Sequence, residues 1–102
     1  MARRDAARRF QIAGESWRWR YRRMRRYYGI CDYGNRTITI DATPTHVGLP
    51  LLDTTVHETL HALQAFATEE HTASAATTIA TILWELGYRL TDEHRGRGYL
   101  GP

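Results

Sequence analysis

The chain has 102 residues, enough for one domain, and 42% of them are hydrophobic, enough for a small core that a bound metal would help hold together. No apolar run is long enough to cross a membrane and no apolar segment follows the arginine-rich N-terminus, so neither a membrane span nor a signal peptide is expected, and the default location is the cytoplasm. The single cysteine, Cys31, excludes an internal disulfide; it reads as a small, part-buried hydrophobe before it reads as a metal ligand or reactive thiol.

The formal charge of +3 conceals an uneven distribution. All 14 basic residues are arginine. Residues 1–36 carry eleven arginines against Asp5, Glu15 and Asp32, a balance of +8, whereas residues 37–102 carry three against eight acids, a balance of −5. That split predicts a basic face and an acidic site region. The complete absence of lysine reads as coding bias, so arginine at any one position carries little meaning by itself.

Residues 1–9 are expected to form a polar basic arm. Phe10 to Ala13 is a candidate strand, followed by a turn at Gly14-Glu15-Ser16. From Trp17 the pattern alternates, with Trp17, Trp19 and Tyr21 on one face and Arg18, Arg20 and Arg22 on the other, as in a half-buried strand. A loop through Gly29 and a turn at Asp32-Tyr33-Gly34-Asn35 lead to the β-branched strand Thr37–Ile40. Strand, turn and strand in this order predict antiparallel pairing. Pro50 suits a helix first turn, and Leu52, Val56, Leu60 and Leu63 recur at helical spacing, which predicts a helix from about Pro50 to Phe66. Thr68 reads as the N-cap of a second helix that opens with Glu69 and Glu70 and stops near Gly87. Residues 10–89 thus form one domain, and residues 90–102 a flexible tail.

The chemistry-bearing motif is His57-Glu58-Thr59-Leu60-His61. Histidines at i and i+4 lie one turn apart on one helix face, where two imidazoles can share a zinc ion. The glutamate beside the first histidine can reach the open coordination position and carry a proton as general base. Two histidines and a glutamate on a solvated helix are the plainer alternative; the amphipathic helix, the strands before it and the acidic start of the next helix favour zinc. A catalytic zinc needs a third protein ligand, and Glu69, Glu70 and His71 follow within reach. Glu70 is favoured because it shares a helical face with Ala73, Thr77, Ala80 and Trp84, which leaves Glu69 facing solvent. Asp53, one turn before His57, is a candidate to orient that imidazole from behind.

The stretch from Leu51 through His57-Glu58-Thr59-Leu60-His61 to Ala62, with Glu69-Glu70 and Ile82–Tyr88, resembles minimal phage- and bacterial-type zincins, related in pattern to SprT-like and ImmA/IrrE-like gluzincins. The resemblance spans roughly residues 29–89. It implies a metallopeptidase with His57, His61 and Glu70 as zinc ligands and Glu58 as general base. The residue that steadies the tetrahedral intermediate in such enzymes has His46, Tyr88 and Tyr99 as candidates here.

The expected fold is α+β, a small antiparallel sheet of about three strands packed on two helices, in a zincin-like arrangement. The expected function is zinc-dependent peptide hydrolysis, with the polypeptide substrate extended along an exposed strand such as Thr37–Ile40. The alternative is a nucleic-acid-binding or interaction module with a structural zinc. Weak, salt-sensitive nucleic-acid binding through Arg18, Arg20 and Arg22 is compatible with either, although alternation puts the tryptophans on the opposite face. No membrane partner is expected, and the sequence leaves the oligomeric state open.

Overall fold

A computed structural model describes residues 8–91. The elements are β1 (Arg8–Ile12), β2 (Glu15–Arg22), β3 (Gly29–Asp32), β4 (Thr37–Asp41), α1 (Gly48–Leu63) and α2 (Glu69–Glu85). The expected arm at residues 1–9 is therefore partly strand, because Arg8 and Arg9 pair within β1. Residues 1–7 and 92–102, including most of the expected tail, lie outside the described residues.

The α+β class holds, but the sheet differs from the expected one. Among the described residues it has four strands in the order β1-β2-β4-β3 and is mixed, because β2 and β4 run parallel. The segment between them is long enough to contain β3, which folds back on β4 as an antiparallel hairpin and leaves the other edge of β4 to β2. Gly29-Ile30-Cys31-Asp32 escapes a propensity reading because it is short and bounded by two poor strand formers.

The β1–β2 hairpin turns at Ala13 and Gly14, both at positive φ (51° and 83°), in register with Ile12 opposite Glu15. A two-residue loop with both φ values positive matches the twist of antiparallel strands. At the β3–β4 turn, the Asp32 carboxylate accepts hydrogen bonds from the Asn35 backbone N–H and side-chain amide. Those bonds hold the Asp32 carboxyl below its ordinary range.

The core gathers Ile12, Trp17, Ile38, Ile40 and Leu51, with Trp19, Tyr21 and Cys31 packed against it. The alternation of β2 thus turns its aromatic side chains to the helical layer and its arginines to the opposite face. Helix α1 lies on β3 and β4, and α2 packs against α1.

Helix α1 starts two residues before Pro50 and ends at Leu63, so Phe66 is excluded and stands 88% exposed in the following turn. The hydroxyls of Thr54, Thr55 and Thr59 donate to the carbonyls one turn back, at Pro50, Leu51 and Thr55. Helix α2 begins as expected: the Thr68 hydroxyl accepts the His71 backbone N–H at 3.0 Å. It ends in a Schellman arrangement, with Gly87 at φ 97°, Gly87 N–H on the Trp84 carbonyl and Tyr88 N–H on the Leu83 carbonyl.

Candidate metal centre

The i, i+4 spacing of His57 and His61 on α1 brings their Nε2 atoms to 3.1 Å. The turn after α1 then sets the first residue of α2 over them. Glu69 places Oε2 3.1 Å from His57 Nε2 and Oε1 2.9 Å from His61 Nε2. These three residues can each offer one donor atom within 4.8 Å of the others. With Zn–N bonds of about 2.0–2.1 Å, tetrahedral geometry separates two ligand nitrogens by roughly 3.3 Å. The two imidazoles already stand near that separation, so the donor set fits a zinc ion both in chemistry and in spacing.

The acid that meets the two histidines is Glu69; Glu70, expected as the third ligand, lies outside this cluster. The buried stripe of α2 runs through Thr72, Ala76 and Ala80, and Glu69 stands one turn before Thr72 on that stripe. Of the residues that share a face with Glu70, Ala80 is buried, Ala73 and Trp84 are half-buried and Thr77 is exposed. Glu69, Glu70 and His71 are all exposed, and of the three it is Glu69 that lies in the donor cluster. Asp53 has another partner: its Oδ2 accepts the Thr77 hydroxyl at 3.0 Å and ties α1 to α2.

Glu58 is 7% exposed, beneath the start of β3. Burial pushes its carboxyl above the ordinary glutamate range; the neighbouring histidines pull it back and Glu69 pushes it further up. A β-carbon at Gly29 would stand 2.7 Å from Glu58 Cγ and 2.8 Å from Thr54 Cγ2. Only glycine at the first position of β3 lets that strand lie so close over the glutamate. Glu58, His57, Thr54 and Gly29 line an open cleft of about 500 Å³, together with Arg26, Tyr28 and others.

Three further residues escape sequence reasoning. Gly29 is one; a glycine opening a short strand was the only signal. Tyr33 is the second: its hydroxyl donates to the His61 carbonyl at 2.9 Å and fastens the β3–β4 turn to the end of α1. Thr54 is the third. Its hydroxyl lies 3.1 Å from Nε2 of the buried His46, whose Nδ1 lies 2.9 Å from the Asp41 carbonyl. His46 thus bridges β4 to α1. Of the other candidates for the role suggested for His46, Tyr88 is 61% exposed beyond α2, and Tyr99 lies outside the described residues.

Cys31 takes no part in the donor set. It packs on the core, and burial, with Glu58 nearby, pushes its thiol up to about 11. The strand proposed to receive substrate is also different. Thr37–Asp41 is central, paired on both sides, and its backbone is committed to β2 and β3. The free edge next to the cleft belongs to β3. A second cavity of about 460 Å³, lined mainly by apolar residues including Leu51, Leu83 and Trp84, contains none of the metal donors.

No protein-family model, no curated protein and no solved structure matches the chain. Among the described residues, no helix is long and apolar enough to cross a membrane.

Proposed function

We propose that this chain is a zinc-dependent metallopeptidase of the gluzincin type, with His57, His61 and Glu69 as ligands and Glu58 as general base. One observation carries the reading. Three donors of the right chemistry converge within 4.8 Å, and the next residue along α1 is a buried glutamate lining the adjoining cleft. Catalytic zinc sites have three protein ligands and an open position, whereas structural ones are closed by four. Three donors among the described residues therefore favour hydrolysis over an interaction module with a structural zinc.

Bound zinc would supply Lewis acidity and water activated at neutral pH. Glu58 takes the proton of the attacking water and delivers it to the leaving amine. The free edge of β3 holds an extended polypeptide by strand addition, and Gly29 lets that strand lie against Glu58. Tyr33 keeps the end of α1, and with it His61, against the sheet.

The test pairs metal analysis of the purified protein with cleavage of a quenched fluorescent peptide library. The expected result is one zinc per chain and cleavage abolished by Glu58→Gln. Protein that carries no zinc after reconstitution, or cleavage that survives Glu58→Gln, overturns the reading.

A further inference from the structure

The helices cover one face of the sheet. Arg9, Arg18, Arg20 and Arg22 alternate onto the other, because Phe10, Trp17 and Trp19 point to the helical side. Arg9 and Arg18 are direct cross-strand partners. Like charges placed opposite one another cost stability, so folding alone gives no reason for the pair. Among the described residues the nearby acids have other hydrogen-bond or ion-pair partners, and Asp32 also feels the charge of Arg20. Asp41 Oδ1 accepts the Met24 and Thr43 backbone N–H groups and the Thr43 hydroxyl, the Asp32 carboxylate is held by Asn35, and Glu15 pairs with Arg36 at 2.8 Å. Arg20 Nε donates to the Thr39 hydroxyl at 3.0 Å, which stands that guanidinium on the neighbouring strand.

We propose that this outer sheet face binds the phosphate backbone of double-stranded nucleic acid, independently of the metal centre. Alternate residues on a strand are about 6.7 Å apart, so Arg18, Arg20 and Arg22 make a row roughly 13 Å long. That length is close to the width of a B-form major groove, about 12 Å, and lets the row meet phosphates on both strands. The aromatic side chains of β1 and β2 lie on the opposite face. Single-strand binders rely on aromatic side chains for base stacking, so this face suits a duplex backbone and reads no base sequence.

The test is fluorescence anisotropy of a labelled 20-base-pair DNA of arbitrary sequence, titrated with the full chain between 50 and 200 mM salt. Four phosphate contacts predict a log–log salt slope of about −3.6, or an affinity loss of roughly 150-fold over that range. The double variant Arg18→Gln, Arg22→Gln should bring the slope to about −1.8, while Arg18→Lys, Arg22→Lys should preserve it. Arg22→Gln alone, at an exposed position, should lower the slope by about one and serves if the double variant does not fold. Absence of binding at 50 mM salt overturns the proposal. So does a slope that the glutamines leave unchanged, tighter binding to a single strand of the same length, or capture by anionic vesicles but not by duplex.

Discussion

Gly29 stands against Glu58 so closely that a β-carbon on the glycine would come within 2.7 Å of the glutamate's Cγ and 2.9 Å of its Oε2. The start of an edge strand and the side chain of the candidate base therefore occupy adjoining space, and neither can be enlarged without moving the other.

Gly29→Ala should lower stability by about 1–3 kcal/mol through overpacking. The displaced atoms belong to Glu58 and Thr54 rather than to the donors, so zinc affinity should change little while any cleavage falls sharply. Thermal melts with isothermal titration of zinc check this; an unchanged melting temperature would mean that β3 yields without cost.

Glu69→Gln should weaken zinc binding by at least about a hundredfold, and Glu70→Gln should leave it nearly unchanged, since loss even of an outer partner commonly costs about 10- to 100-fold. Competition with a chromogenic chelator measures both. The reverse order would restore Glu70 as the ligand.

Glu58→Gln should retain the metal and reduce peptide hydrolysis by about 10²- to 10⁴-fold, the usual worth of a positioned acid–base group. Zinc content and turnover measured on one preparation separate the two effects. Loss of zinc in this variant would make Glu58 a structural support instead of a proton carrier.

Thr68→Ala should cost about 1 kcal/mol by removing the N-cap of α2. It should also weaken zinc binding modestly, because Glu69 is the next residue and depends on an ordered first turn. Chemical denaturation with and without zinc would show the dependence as a larger loss in the loaded protein.

With its thiol pushed up to about 11, Cys31 should react slowly with iodoacetamide at pH 8. The thiolate is the nucleophile, so its rate should trail that of a cysteine with the ordinary value by about a hundredfold, on a shift of about two units. The same shift fixes the sign of a stability effect. The unfolded thiol ionises first, so the contribution from Cys31 is complete below about pH 9 and is lost as pH rises through about 11. Rapid alkylation at pH 8 would contradict the packing of this residue.

Both helices, and the ends of α2, are visible in the chain itself, because apolar spacing, Thr68 and Gly87 act locally; the ends of α1 are not, since its start at Gly48 has no side-chain cap and the apolar pattern runs on to Phe66 beyond its last residue, Leu63. The strict alternation of β2 is legible for the same reason. The parallel pairing of β2 with β4 is not, since it depends on where the short β3 inserts, and Gly29–Asp32 has no strong strand preference. In the candidate site, His57 and His61 follow from spacing alone. Which of Glu69 and Glu70 lies beside the histidines turns on a helix rotation of one residue, about 100°, and that rotation follows from the burial of Thr72 and Ala76 rather than from the identity of the two acids.

All three donors of the metal cluster fall within thirteen consecutive residues, His57 to Glu69, on one helical hairpin. Contacts close in sequence carry a small loop-closure entropy and form early, whereas the β2–β4 pairing joins residues about twenty positions apart. An ion present during refolding would therefore be captured by the α1–α2 hairpin ahead of the completed sheet. Added zinc would then speed the folding limb of a kinetic chevron rather than merely slow the unfolding limb.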